Sequence, residues 1–390
     1  MTTDKKDLMI LMPYDISNVQ GSTAVYHITN GVSETHNVHL FSKQKPDFNV
    51  SSYHPLPDAQ SSYLPSLLIY NFLLLPKITY YYLYYSPDLI YSYKGFLLPP
   101  YILNWFNPGW IVDLRTAPLE QQIERRKDNE DWGQVEKVYF LLYKLLYSIT
   151  LPHADNIITL SPGIRRILIE DYGVCSNNIT IIPLGVDTER FSPKRFRDDQ
   201  TVRKTLHIAY IGVIKSYREF DIILKSLARL PSSEGVELHI FGKGNEEYIE
   251  EMKILASELG ITKRVRWHGY IGHNKIPEEL YQMDVGLSPL PPDNSYQVSC
   301  PAKVMEYLAM GLPVICTDII PHREMVDDGE TGFFYESGDA EQLSKVIRNV
   351  NALSVEDRGL ISRKSREVAL NHDWSNMINT VNQLIENSAP

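Results

Sequence analysis

The sequence predicts an α/β chain built of two parallel-sheet domains, and three observations lead there. Its 390 residues suffice for two or three domains, each able to bury its own core. Both halves open on a short apolar run followed by a glycine: Leu8 to Met12 before Gly21, with a helical stretch from Thr23, and the glycine-ended run Leu206 to Gly212. Between the halves, Phe191-Ser192-Pro193 and the polar run Lys194 to Lys204 read as a linker. The expected domains are therefore 1–195 and 204–373.

Composition narrows the function classes. The chain is 43% hydrophobic and 22% charged, which is ordinary for a globular protein. A net charge of -10 argues against nucleic acid as the main partner. Cys175, Cys300 and Cys316 are odd in number and far apart, so neither a disulfide framework nor a zinc pattern follows, which suits a reducing cytoplasm. The first apolar run is too short for a signal peptide, and no stretch of about 18 apolar residues predicts a transmembrane helix.

In the first half, Leu8 to Met12 reads as a strand, Gln20-Gly21-Ser22 as a loop, and Thr23 to Val32 as a helix. That arrangement suits the approach of a phosphate or sugar to backbone N–H groups, or a plain turn. His36 to Phe41 is the second strand. From Ser61 to Trp110 the composition turns aromatic and aliphatic, with Lys77, Asp88 and Lys94 the only charges. Pro65, Pro76, Pro87, Pro99 and Pro100 break this stretch into short pieces, so it is not one spanning helix. It suits either contact with a membrane surface or a core with half-buried tyrosines.

Asp88 to Tyr91 and Trp110 to Asp113 are further strands with polar residues at their C-terminal ends, the edge where open α/β sheets bind ligands. Asp113 and Arg115 are thus candidates for a substrate site or, equally, for a strand-end ion pair. Residues 119–132 are highly charged, and Val135 to Ile149 is an amphipathic helix. Asp155 to Ser161 is a strand whose last residue opens a helix at Pro162.

In the second half, strands are expected at Leu206 to Gly212, Val236 to Phe241 and Val285 to Pro289, with helices at Glu246 to Leu259 and Ile276 to Met283. Gly242-Lys243-Gly244 lacks the following Lys-Ser/Thr of a nucleotide-triphosphate loop. The most informative stretch runs from Ser299 to Val326. Ser299 can cap a helix, Pro301 suits its first turn, Gly311 ends it, and Val314 to Cys316 is a buried strand. Lys303 and Glu306 lie three apart on neighbouring parts of one helical face. With the free N–H groups of the helix start, they suit a nucleotide diphosphate: the cation for phosphate, the carboxylate for ribose hydroxyls. On spacing alone a surface Lys–Glu pair fits as well.

The run P-A-K-V-M-E-Y-L-A-M-G-L-P-V-I from Pro301 to Ile315 resembles the C-terminal signature of the large retaining GT-B glycosyltransferases. Asp155 to Ser161 and Ile179 to Asp187 resemble that family's A-D-x-I-I-T-x-S and I-x-x-I-P-x-G-V-D motifs. The resemblance implies a GT-B fold, two Rossmann-like domains facing a cleft, with a final helix at 374–390 returning to the first domain. It implies a nucleotide diphosphate sugar as donor, no cofactor and no metal. Glu306 aligns with the second glutamate of the E-x7-E pair, and the first falls on Val298. In the family's G-R-L…K-G pattern, Val213 takes the arginine position and Arg218 the lysine position, with Lys215 or Lys303 able to supply the missing charge. Arg115 stands where relatives often carry a histidine.

The donor-binding set implied is therefore Gly21, Gly212, Arg218, Ser299, Lys303 and Glu306. Arg218, Lys303, Asp113 and Arg115 are the catalytic candidates. Ser295, Tyr296 and Gln297 are candidates for sugar specificity, and His268 is near the expected nucleobase position. The acceptor expected is a glycan or lipid-linked saccharide, handled at the cytoplasmic face of a membrane touched through residues 61–110. The missing glutamate also leaves room for a non-catalytic nucleotide-sugar-binding subunit, and the same fold serves epimerases.

Overall fold

The computed structural model describes residues 5–17, 23–58, 67–115, 134–195, 204–293 and 296–388. The chain divides into two compact units, one of residues 1–184 with 374–390 and the other of residues 185–373.

The first unit is a seven-stranded parallel sheet in the order β3-β2-β1-β4-β5-β6-β7. Its strands are β1 (Asp7–Leu11), β2 (Asn37–Ser42), β3 (Ser52–Pro55), β4 (Leu89–Tyr93), β5 (Gly109–Asp113), β6 (Asn156–Thr159) and β7 (Ile179–Ile181). Because helices cover both faces, β4 and β5 are buried at every residue and read as continuous apolar runs. The connecting helices include α1 (Thr23–Thr35), α2 (Leu75–Tyr85), α3 (Leu98–Leu103), α4 (Gln134–Thr150) and α5 (Pro162–Tyr172). Ser161 caps α5 by accepting from the Ile164 N–H at 3.2 Å, and Gly173, at φ 68°, ends it.

The helix Trp374–Ser388 closes this unit. Trp374, Val381 and Ile385 join Ile28, Val32 and the β1 and β4 side chains in one core. The crossing with α1 is close: a Cβ on Gly31 would lie 2.6 Å from the Ile378 side chain.

The second unit is a six-stranded parallel sheet in the order β10-β9-β8-β11-β12-β13. It comprises β8 (Leu206–Ile211), β9 (Val236–Phe241), β10 (Val265–Gly269), β11 (Val285–Ser288), β12 (Val314–Thr317) and β13 (Gly332–Tyr335). Its helices include α6 (Phe220–Ala228), α7 (Glu246–Glu258), α8 (Ile276–Tyr281) and α9 (Ala302–Ala309). In both units the first strand lies beside the fourth, so the winding reverses between β1 and β4 and between β8 and β11. Such a reversal leaves a crevice beyond the strand ends, where this architecture binds ligands.

Candidate functional site

The winding reversal of the second unit is held open by one side chain. Strands β8 and β11 pair only at Val285↔Ile208 and Gly286↔Ala209. Beyond that, the Tyr307 hydroxyl of α9 accepts from the Ile211 N–H at 2.9 Å and reaches the Leu287 carbonyl at 3.5 Å. It satisfies backbone groups that the parted strands no longer satisfy for each other. Gly286 makes this possible, since a Cβ there would lie 2.2 Å from the Tyr307 ring.

Gly212 follows β8 at φ 140°, a conformation that favours glycine. The Tyr210 hydroxyl donates to the Val213 carbonyl at 2.7 Å and fixes the loop. Onto this loop points Lys303. Its Nζ would lie 3.1 Å from a Cβ on Gly212 and stands 4.2 Å from the centre of the Tyr210 ring. The Nζ is sealed from solvent and has no hydrogen-bond partner among the described residues, although other parts of the residue reach the surface. Burial, then the nearby charge of Arg218, pushes the Lys303 pKa well below its usual value, with Glu306 opposing.

Arg218 sits on the turn Ser216–Arg218 just before α6, its Cζ 4.7 Å from the centre of the Tyr296 ring. Its Nε is likewise buried without an acceptor among the described residues. Glu219, at φ 54°, turns the chain from this position into α6 and accepts from the Ser337 hydroxyl. The result is two basic side chains beside a glycine loop, each with a buried nitrogen that has no acceptor among the described residues. An anion would supply that acceptor.

Glu306 lies one turn along α9 and accepts a 2.7 Å hydrogen bond from His273 Nε2. Sequence reading missed His273: it is 33 residues away and only the fold brings it to α9. Sequence reading also missed the buried floor, where His322 Nε2 meets the Ser288 hydroxyl at 2.9 Å and Nδ1 donates to the Thr317 carbonyl at 2.7 Å.

Ser299 does not cap α9. The helix begins after Pro301 with no side-chain cap, while the Ser299 hydroxyl donates back to the Tyr296 carbonyl at 2.9 Å. The reason is Pro301, which biases Cys300 away from helical dihedrals and so delays the helix. Gln297 is also engaged, its Oε1 accepting from the Ile320 N–H at 3.2 Å. His268 is exposed and stacks on Phe241 at 4.3 Å. Gly21, Ser295 and the charged segment 119–132 lie outside the described residues.

In the first unit Asp113 and Arg115 form a bidentate pair, Nε to Oδ1 at 2.7 Å and the second nitrogen to Oδ2 at 3.1 Å. The Tyr91 hydroxyl donates to Oδ2 at 2.7 Å. Burial works against the Arg115 charge, but Asp113 outweighs it and raises the pKa. Of the two readings open from sequence, the strand-end ion pair is the one this geometry contains.

Elsewhere on this unit α3 lies against both α2 and α4. Together with the Asn104–Phe106 turn, these helices expose Tyr80, Leu83, Trp105, Phe106, Leu141 and Leu145. Among the described residues no helix is long and apolar enough to cross a membrane.

Two family profiles match the chain: Glycosyltransferase Family 4 over residues 21–190, and Glycosyl transferases group 1 over residues 205–352. Among curated relatives, a D-inositol 3-phosphate glycosyltransferase of Geodermatophilus obscurus is 25% identical over 58% of this chain and 51% of its own length. A sulfoquinovosyl transferase of Arabidopsis thaliana is 25% identical over 57% of this chain and 42% of its own. The chain spans about half the length of the curated relatives it matches. Among solved structures, a glycosyltransferase of Rickettsia africae superposes with a TM-score of 0.75 at 14% identity, over 99% of both chains. Anabaena HepE in complex with UDP superposes with a TM-score of 0.70 at 16% identity, over 98% of this chain and all of that one.

Proposed function

The chain belongs to the GT-B glycosyltransferases of the family-four type, and from that premise we propose that it moves a sugar from a nucleotide diphosphate sugar to a glycan or lipid-linked saccharide, retaining the anomeric configuration. The observation that carries this reading is the buried Lys303 Nζ, without an acceptor and beside Arg218. A departing diphosphate supplies what that pair lacks. Gly212 lets phosphate oxygens approach the loop, and Glu306 accepts from the ribose. HepE was solved with UDP and with UDP-glucose, which makes uridine donors the first to try.

In the transfer, the bond from the anomeric carbon to the phosphate oxygen breaks and the bond to the acceptor oxygen forms on the same face. The acceptor proton passes to the leaving phosphate, so no protein base is required. Catalysis then rests on stabilising charge that develops on the diphosphate. Two cations suffice for that without a metal ion, and the sequence has none of the Asp-x-Asp triplets of metal-dependent transferases. Asp113 with Arg115 forms a rigid strand end on the acceptor-side unit.

Membrane contact through residues 61–110 is supported by the exposed apolar residues of α2, α3 and the Asn104–Phe106 turn, since Leu75–Tyr85 and Leu98–Phe106 carry one charge, Lys77. Rings and leucines without acidic neighbours suit the interface of an anionic bilayer at the cytoplasmic face. Liposome flotation tests it. Wild type is expected to rise with anionic vesicles and a Leu83→Asp/Phe106→Asp variant to remain below; equal flotation would end this part of the reading.

The enzymatic part is tested by screening UDP-, GDP- and ADP-sugars for thermal shift and slow hydrolysis together. A melting rise and nucleotide release with one donor are expected. A rise without hydrolysis, even with lipid extract added, would instead favour a non-catalytic binding subunit, consistent with Val298 and Val213 at the two family positions.

A further inference from the structure

On the same sheet, but toward the opposite ends of its strands, a second polar cluster plays no part in the donor site. His207 lies on β8, Glu237 and His239 on β9, and parallel pairing sets His207 directly against Glu237. His239 is two residues beyond Glu237, so all three side chains leave the same face. His207 Nδ1 and His239 Nε2 stand 2.9 Å apart, and His239 Nε2 is 3.8 Å from the Glu237 carboxylate. One potential donor atom from each residue falls within 4.8 Å of the other two.

We propose that His207, Glu237 and His239 form a binding site for a divalent transition metal of the zinc class. Two imidazoles and a carboxylate are the ligand set that zinc, cobalt and nickel accept. In a tetrahedral zinc site, ligating nitrogens sit about 3.3 Å apart, so the two rings need to part by only a few tenths of an ångström. His239 also has the outer partner that ligating histidines use: its Nδ1 lies 3.1 Å from His268 Nε2, so it can donate there and leave Nε2 facing the cluster.

One neighbour opposes the ion. Arg266 shares the Glu237 carboxylate through contacts of 3.2 and 3.5 Å. That guanidinium is half exposed and can swing toward water when a metal takes the oxygen.

The site is remote from the proposed chemistry. His207 precedes Gly212 by five residues of strand, roughly 16 Å. The ion would join β8 to β9, a structural role that adds no metal to the transfer step and does not depend on the transferase reading.

The test uses tag-free protein stripped with EDTA and titrated with cobalt(II) chloride, then with zinc chloride in competition. One cobalt per chain with visible d–d bands, displaced by zinc, is expected, together with a higher melting temperature in zinc than in EDTA. His207→Ala and Glu237→Gln are each expected to weaken binding at least tenfold, while His153→Ala in the other unit leaves it unchanged. The proposal is overturned if wild type shows no saturable one-to-one binding. It is equally overturned if a His207→Ala/His239→Ala variant binds as tightly as wild type.

Discussion

Arg115 in the first unit and Lys303 in the second are both cations withdrawn from water, and they are held in opposite ways. Arg115 has a carboxylate gripping two of its nitrogens, with Tyr91 hydrogen bonded behind it. Its charge is complete within the protein, and its pKa rises. Lys303 has a tyrosine ring, a second cation and no acceptor for its Nζ, and its pKa falls. Burial alone therefore does not assign a cation its role. The account of partners does: a pair satisfied at home stabilises the fold, whereas an uncompensated charge costs stability until something outside supplies the counter-charge.

The contrast can be broken most sharply at Asp113. Asp113→Ala leaves the Arg115 guanidinium buried and alone, and should lower the unfolding free energy by about 3–5 kcal/mol in a urea titration. A loss well under that would mean the pair is no more structural than Lys303. Next in size are Arg218→Ala and Glu306→Ala, each expected to cost roughly a hundredfold or more in turnover, about 3 kcal/mol of transition-state stabilisation. Steady-state kinetics near the wild-type rate would remove either residue from the donor site. The smallest effect has the most telling sign. Lys303→Met exchanges an uncompensated charge for an apolar chain and should raise stability by on the order of 1 kcal/mol while abolishing donor-induced melting shifts. A fall in stability would place Lys303 beside Arg115 among the structural cations.

How much of this was legible in the sequence follows from how local each feature is. Strands β8, β9 and β12 were found as apolar runs bounded by glycine, and Gly212, Lys303 and Glu306 were found because motif and helix both lie within a few residues. Asp113 and Arg115 were singled out, but two residues apart on a strand end fits either an ion pair or a ligand contact; only Tyr91, contributed by the neighbouring strand, completes the pair. The cap at Ser299 failed because a turn closing on Tyr296 competes for the same hydroxyl, and the proline decides the contest. His273 on Glu306 and His207 against Glu237 depend on strand order and register, which no spacing in the chain records.

The lysine at Gly212 has one more consequence. Because burial makes its ammonium form expensive, the free site holds its proton loosely, and a phosphate arriving beside it tightens that hold. Donor affinity and proton affinity are thus one thermodynamic quantity approached from two sides. Under the proposed donor reading, binding is expected to take up protons and to weaken as alkalinity rises, which calorimetric titration in buffers of different ionisation enthalpy would read.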